Sequence, residues 1–453
     1  MRAFSILLPP LLVAACTNTP QGTLQLNTGG ETDTFTRAPA PTTLRVDAVD
    51  SSGHVTTLAS AHLPTSTVDL GTQDENASAI LEVSGLDDTG KRLVYGATVP
   101  VQYGALESIN LPVFVQRTGE LARMPSPLSD SRPAPALAQV QGQYLFVGGG
   151  SDSAIALSTQ LYDCEALSPL ASPPTVTRAP ESVAFVGTVA LLIDSQGGTY
   201  FDFSANAYQD VTPPTGATFA DVAGGQTIVS DTGTEYIVGA TRTTGAPTAA
   251  VLVINPSDTS VSADVTGKLS WATLSAPRLG AGATWVTGRG LVVTGGSAMA
   301  QGVEILGPLP ATKGSPLAYG ADPSVGAGAT GFPPSDDAQH VLVAGGLGPT
   351  GRDAGVRLID LACTAMCTPT VWSSLPVAIG NAQAFAWNPT EGLVLGSEGP
   401  GGTGTTHVFH LTSTAATEVP TKVPHTNARA AVSPLGSIVV VGGASEIESF
   451  YPQ

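Results

Sequence analysis

Few residues in this 453-residue chain have types and spacings that could do chemistry, and the cysteines come first. Cys363 and Cys367 enclose Thr-Ala-Met in LACTAMCTP, directly after the apolar run VRLID. Two thiols that close can join as a disulfide or supply half of a zinc tetrahedron. Zinc needs two more ligands and no other Cys or His is near in sequence, so a small disulfide-closed loop is expected, with no metal. Cys164, in LYDCEALS, has nothing beside it to lower its pKa and is expected as a buried free thiol. His407 and His410 in THVFHL lie three apart on an expected strand, which sends them to opposite faces and spoils them as a metal pair.

The arginines carry the second possibility. Arg132, Arg178 and Arg278 each stand 13 residues ahead of an apolar run. With Arg242, Arg352 and the adjoining Asp353 they are the candidates for ligand binding, the cations being suited to a carboxylate or an acidic sugar. The recurring three could instead pair with carboxylates of neighbouring units and only hold loops together. Gly326 to Gly331, GAGATG, has the spacing of a dinucleotide fingerprint, but GFPPSDD follows where a helix is required. No G-x-S-x-G, G-x-x-x-x-G-K-[ST] or H-E-x-x-H occurs, so no catalytic residue and no cofactor is assigned.

The elements that position these residues read as strands. Apolar residues are 42% of the chain and charged residues only 12%, while Gly (52) and Pro (36) are plentiful, which disfavours long ion-paired helices and fits an all-β protein. A formal charge of −18 repels phosphate backbones, so nucleic acid is not expected as a partner.

At the start of the chain Arg2, the apolar core Ala3 to Leu12 and small residues up to Cys16 read as a signal peptide over residues 1–15. Val13-Ala14-Ala15-Cys16 resembles the lipobox of bacterial lipoproteins. That resemblance implies lipidation at Cys16 and a membrane partner reached through the acyl chains alone. Thr17, in place of a retaining aspartate, favours the outer membrane, on its periplasmic or surface face. Residues 16–42, rich in Thr, Pro and Gly, read as a tether, with TLQLN as one early strand. Residues 43–117 alternate apolar and polar positions around turns such as DSSG and DDTGK and are expected to form a small β-sandwich, immunoglobulin-like or transthyretin-like.

From residue 118 to 453 one phrase recurs: LFVGGG, LVVTGG, VLVAGG and IVVVGG are apolar runs ending in a glycine pair. With three weaker copies the runs begin at Leu145, Leu191, Tyr236, Leu291, Val341, Leu393 and Ile438. The intervals average about 49 residues, near the kelch period. This region resembles a kelch β-propeller of seven units, with six or eight allowed by the missing glycine pairs at Leu191 and Leu393 and the uncertain phase at Tyr236. GELARMPSPLSDSR before the first unit and SFYPQ after the last are expected to complete one blade together. A sandwich ahead of a kelch propeller is also similar to galactose oxidase, but no Tyr adjoins a His here and the copper motif is missing. The expectation is therefore a non-catalytic binding scaffold for protein or glycan. An oxidoreductase or glycosidase using the propeller face and a structural envelope component are the alternatives.

Overall fold

The computed structural model describes residues 21–65, 67–106, 110–240, 246–256, 264–332 and 339–453. Cys16 and Arg242 lie outside them. The chain is all-β, and among the described residues its only helical segments are single 3₁₀ turns. No described helix is long and apolar enough to cross a membrane.

The first unit is built from two sheets. One orders the strands Thr67–Thr72, Gln21–Asn27 and Asn110–Phe114; the other runs through Val55–His62, Thr43–Val49, Ser78–Leu86, Arg92–Ala97 and Gln116–Arg117. Alternating apolar side chains from both sheets, Leu24, Val68 and Leu111 facing Val46, Leu81 and Val94, share one core. Of the expected tether over 16–42, residues 16–20 lie outside the described residues, and from Gln21 onward, through the early strand expected at TLQLN, the chain is integral to this unit. The reason is local, since Leu24 is fully buried and its strand pairs with neighbours on both sides.

Residues from Leu121 onward form the β-propeller. Each apolar run found in the sequence is the second strand of a four-stranded antiparallel set, including Tyr236, which lies in Glu235–Val238. The strand Thr370–Asn388 is 19 residues long and serves two sets, as the outer strand of one and the inner strand of the next. Inner strands touch in sequence order, and Arg429–Val432 touches Ala136–Val140 to complete the circuit. The final set takes its outer strand from the front of the chain: Leu121–Arg123 pairs with Glu448–Phe450. The two ends share a blade, as the fragments GELAR and SFY suggested.

The glycine pairs are needed where each second strand leaves the sheet. Gly149 has φ 65°, and a Cβ there would come within 1.9 Å of the Pro180 carbonyl in the next blade. Only glycine fits.

The two units are packed together at the seam. Gln116 donates to the Ser449 carbonyl at 2.9 Å, Gly119 N–H to the Tyr451 carbonyl at 2.7 Å, and the Tyr95 and Tyr451 rings meet edge to face at 4.8 Å. Phe114 and Val99 join the core that Leu145, Val147 and Val439 make between the first and last blades.

Candidate functional site

In antiparallel blades ordered from axis to rim, the segment entering each inner strand and the connection between second and third strands emerge on one face. The recurring arginines occupy a fixed place there. Arg132, Arg178 and Arg278 each lie four residues before an inner strand, at Ala136, Ser182 and Gly282.

Their surroundings show what they do. Arg132 and Arg278 are fully buried. Arg132 pairs with Asp130 at 2.6 Å and donates to the Ser158 carbonyl at 2.7 Å and the Gly149 carbonyl at 3.3 Å. Arg278 pairs with Glu304 at 3.2 Å and donates to the carbonyls of Gln301 at 2.7 Å and Gly295 at 2.8 Å. Arg178, in a blade whose apolar run does not end in a glycine pair, is held by Asp194 at 2.8 Å and Thr199 at 2.9 Å. Its guanidinium pKa is raised, chiefly by the hydrogen bond to Asp194. Arg132 and Arg278 therefore fasten glycine-pair loops and are closed to a ligand, which corrects their assignment as binding candidates. This is the alternative reading, in which they only hold loops together, except that their acidic partners come from the same blade and not from neighbouring ones.

Arg352 and Asp353 are on the same face, in the hairpin that follows Val341–Ala344 of the fifth blade. Arg352 is exposed, and among the described residues its side chain bonds only the Ala378 carbonyl, at 3.0 Å. Asp353 is half-buried, accepts from Gly355 N–H at 2.8 Å and lies 3.4 Å from the Arg357 guanidinium.

Sequence reading missed two residues at the mouth of the ring. His425 stands four residues before the inner strand Arg429–Val432, the place that arginine holds in three other blades. The second is Arg429 itself. Two residues before the inner strands, Ala134, Gly224, Gly280, Gly326 and Asn427 all have left-handed φ, between 47° and 73°. Hydrogen bonds then run from blade to blade around the mouth: Gly326 N–H to the Gly280 carbonyl and Ala134 N–H to the Asn427 carbonyl, each 2.7 Å. Arg429 follows this rim. Its Nη1 reaches Asn427 Oδ1 at 3.2 Å and the Ala428 carbonyl at 3.4 Å. Burial lowers its pKa to about 10, which still leaves it charged at neutral pH. The signal that could have found it is positional: Arg429 falls where other blades carry Ala136, Ser182, Gly282 and Gly328.

The remaining candidates are placed as follows. Cys363 and Cys367 form a disulfide, with Cα atoms 6.4 Å apart. Cys164 is buried and free, and burial pushes its thiol up to about 12. His407 faces Glu418 at 2.7 Å while His410 stacks on Trp387 at 5.5 Å, so the two do not converge. Gly328–Gly331 is an inner strand preceded by a rim turn, not the start of a helix. An open cleft of about 370 Å³ lies between the two-sheet unit and the sixth blade, but its Arg37 and Lys422 already flank Glu120 at 2.6 and 3.7 Å.

No family model matches the chain and no curated protein matches it. Among solved structures it is similar to a chain of the mitotic checkpoint complex, at 11% identity over 74% of this chain and 95% of that one, with a TM-score of 0.45. It is also similar to the extracellular domain of BT4673, described as a one-component system, from B. thetaiotaomicron. That match has 10% identity, covers 74% of this chain and has a TM-score of 0.45. This chain spans 40% of that second protein.

Proposed function

We propose that the chain is a kelch-type propeller of seven blades, carried on a lipid-anchored two-sheet unit at the bacterial envelope, that acts as a non-catalytic binding scaffold for protein or glycan. The observation that supports this most is the division of labour among its arginines. Arg132 and Arg278 are consumed in fixing loops, so the face they stiffen is rigid, while Arg352 is presented outward from it and Arg429 stands at its centre. Polar loops on a rigid frame are where recognition usually resides. The kelch assignment rests on the apolar run that recurs about every 49 residues, four times with a terminal glycine pair, and anchoring on the Val13-to-Cys16 boundary.

The test is capture from envelope extract and from a glycan array, comparing wild type with an Arg242→Ala, Arg352→Ala double variant. Retention of each partner is expected to fall at least tenfold. Unchanged affinity in a well-folded variant places recognition elsewhere.

A further inference from the structure

We infer that Arg429, just inside the loop-bearing mouth of the ring, is a receptor for a carboxylate group that enters along the axis. This rests on the scaffold reading above and gives that face its ligand chemistry.

The first ground is an imbalance of charge. The two fully buried arginines of the propeller both have a carboxylate: Arg132 has Asp130 and Arg278 has Glu304. Arg429 is half-buried on an inner strand, and among the described residues no carboxylate lies within 4 Å of it. Burial alone accounts for the shift in its pKa, with no charged neighbour contributing. A half-buried guanidinium without an anion beside it is under-compensated, and a protein with 36 acidic residues has placed none there.

The second ground is unused bonding capacity. Both acceptors that Arg429 uses belong to the two residues immediately before it, and both are reached from Nη1 at long distances. Its Nε and Nη2 have no hydrogen-bond partner, yet they are not among the sealed, unsatisfied atoms of the interior. They remain within reach of something entering from the mouth. Neighbouring polar groups do not compete: the Gln383 amide is spent on both backbone groups of Ala430, and Asn381 Nδ2 is spent on the carbonyls of Gly401 and Gly402.

The third ground selects the anion. A guanidinium edge with two free donors matches the two oxygens of a planar carboxylate, and one positive charge balances one negative charge. A phosphate dianion would bring a second charge to the mouth with no further cation to meet it. The carboxylate could belong to a small free acid or to an acidic side chain of a partner.

The experiment uses the intact chain in chloride buffer and follows the arginine Nε–Hε NMR signals. Arg429 is assigned by the signal lost in Arg429→Lys. Sodium acetate and a short Glu-containing peptide are titrated separately at constant ionic strength. A saturable shift of the Arg429 signal is expected, and Arg429→Gln should abolish the heat of binding seen for the same probe. Saturation by the peptide at concentrations at least tenfold lower than acetate identifies a side chain as the source; equal concentrations identify a free acid. No shift with either probe, or stronger binding of inorganic phosphate than of both, overturns the proposal. Without any ligand Arg429→Gln should melt no lower than wild type, because it removes an unpaired charge, and a lower melting temperature with no carboxylate response assigns the residue to structure instead. If partner capture survives while the carboxylate response is absent, only the Arg429 assignment fails. If the response persists while no partner is captured, the scaffold reading fails.

Discussion

His425 and Glu448 repeat, in the blade that closes the ring, the arrangement of Arg278 and Glu304. His425 Nε2 lies 3.3 Å from Glu448 Oε2 and its Nδ1 lies 2.8 Å from the Gly442 carbonyl, as Arg278 meets Glu304 and the Gly295 carbonyl. The carboxylates match as well: Glu304 accepts from Ser275 N–H and Glu448 from Lys422 N–H, each three residues before the paired side chain. All four side chains are buried. Removing the imidazole strands the buried Gly442 carbonyl and leaves space beside Glu448, and a buried polar group left without its partner costs about 1 to 3 kcal/mol. His425→Ala should therefore destabilise the propeller by about 2 kcal/mol in urea denaturation. Adding Glu448→Gln should recover part of that loss, and strict additivity of the two would show that they do not interact.

Glu235 gives the stability a pH dependence. It is 7% exposed, accepts from Phe185 N–H of the adjacent blade at 3.0 Å, and is pushed up by burial from 4.5 to about 7. With the folded pKa above the unfolded one, the native state holds the extra proton, so this group's contribution falls as pH rises from 4.5 to about 7 and is flat above. The span corresponds to a loss on the order of 3 kcal/mol. Glu235→Gln should melt higher than wild type at pH 8 and converge with it near pH 5. A gap that does not change with pH would refute this account.

The three cysteines of the propeller should separate in reactivity. Burial pushes the Cys164 thiol up to about 12. Native protein should leave it unalkylated by iodoacetamide at pH 8, and urea should expose it. Non-reducing peptide maps should link Cys363 to Cys367; a link from either to Cys164 would contradict the blade assignment.

Gly149→Ala should be among the most damaging small substitutions. It puts a Cβ on a left-handed residue and against the Pro180 carbonyl. A loss of about 2 kcal/mol or more is expected from strain and displacement together. Gly142, also left-handed but with open space around it, should tolerate Ala with about 1 kcal/mol lost. Equal losses at the two positions would mean that the contact between blades matters little.

Lipidation can be tested directly. Triton X-114 partitioning of wild type and Cys16→Ala should place the first in the detergent phase and the second in the aqueous phase. Both in detergent would exclude Cys16 as the anchor.

The propeller was legible because each blade repeats its most buried strand, so apolar runs such as Leu145, Leu291 and Val341 recur with glycines at their ends. The spacing of Arg132, Arg178 and Arg278 was equally visible, and so was a loop-holding role as one of two readings, but their partners were not. Asp130, Asp194 and Glu304 come from different strand positions, and only folding brings each beside its arginine. His425 was hidden because a different residue type fills the same place. Arg429 reads in sequence as one more residue of RAAV; its significance is the missing neighbour, which no sequence displays. The strand Gln21–Asn27 was legible as TLQLN, but its place in the first unit was not, because that is fixed by pairing with residues as distant as Asn110 to Phe114.

The pairing of Leu121–Arg123 with Glu448–Phe450 also governs how the molecule can come into being. These strands bracket the entire propeller, so the contact that closes the circle spans the longest chain segment in it and carries the largest loop-closure entropy. Until the final residues arrive, the outer strand Leu121–Arg123 has nothing to pair with, and each end of the growing arc shows an unpaired edge on which another chain could add. The strand that waits for them is continuous with the two-sheet unit through Gln116 and Gly119, which bond Ser449 and Tyr451 on arrival. A domain folded early thus offers the docking edge on which the rest of the chain completes its circle.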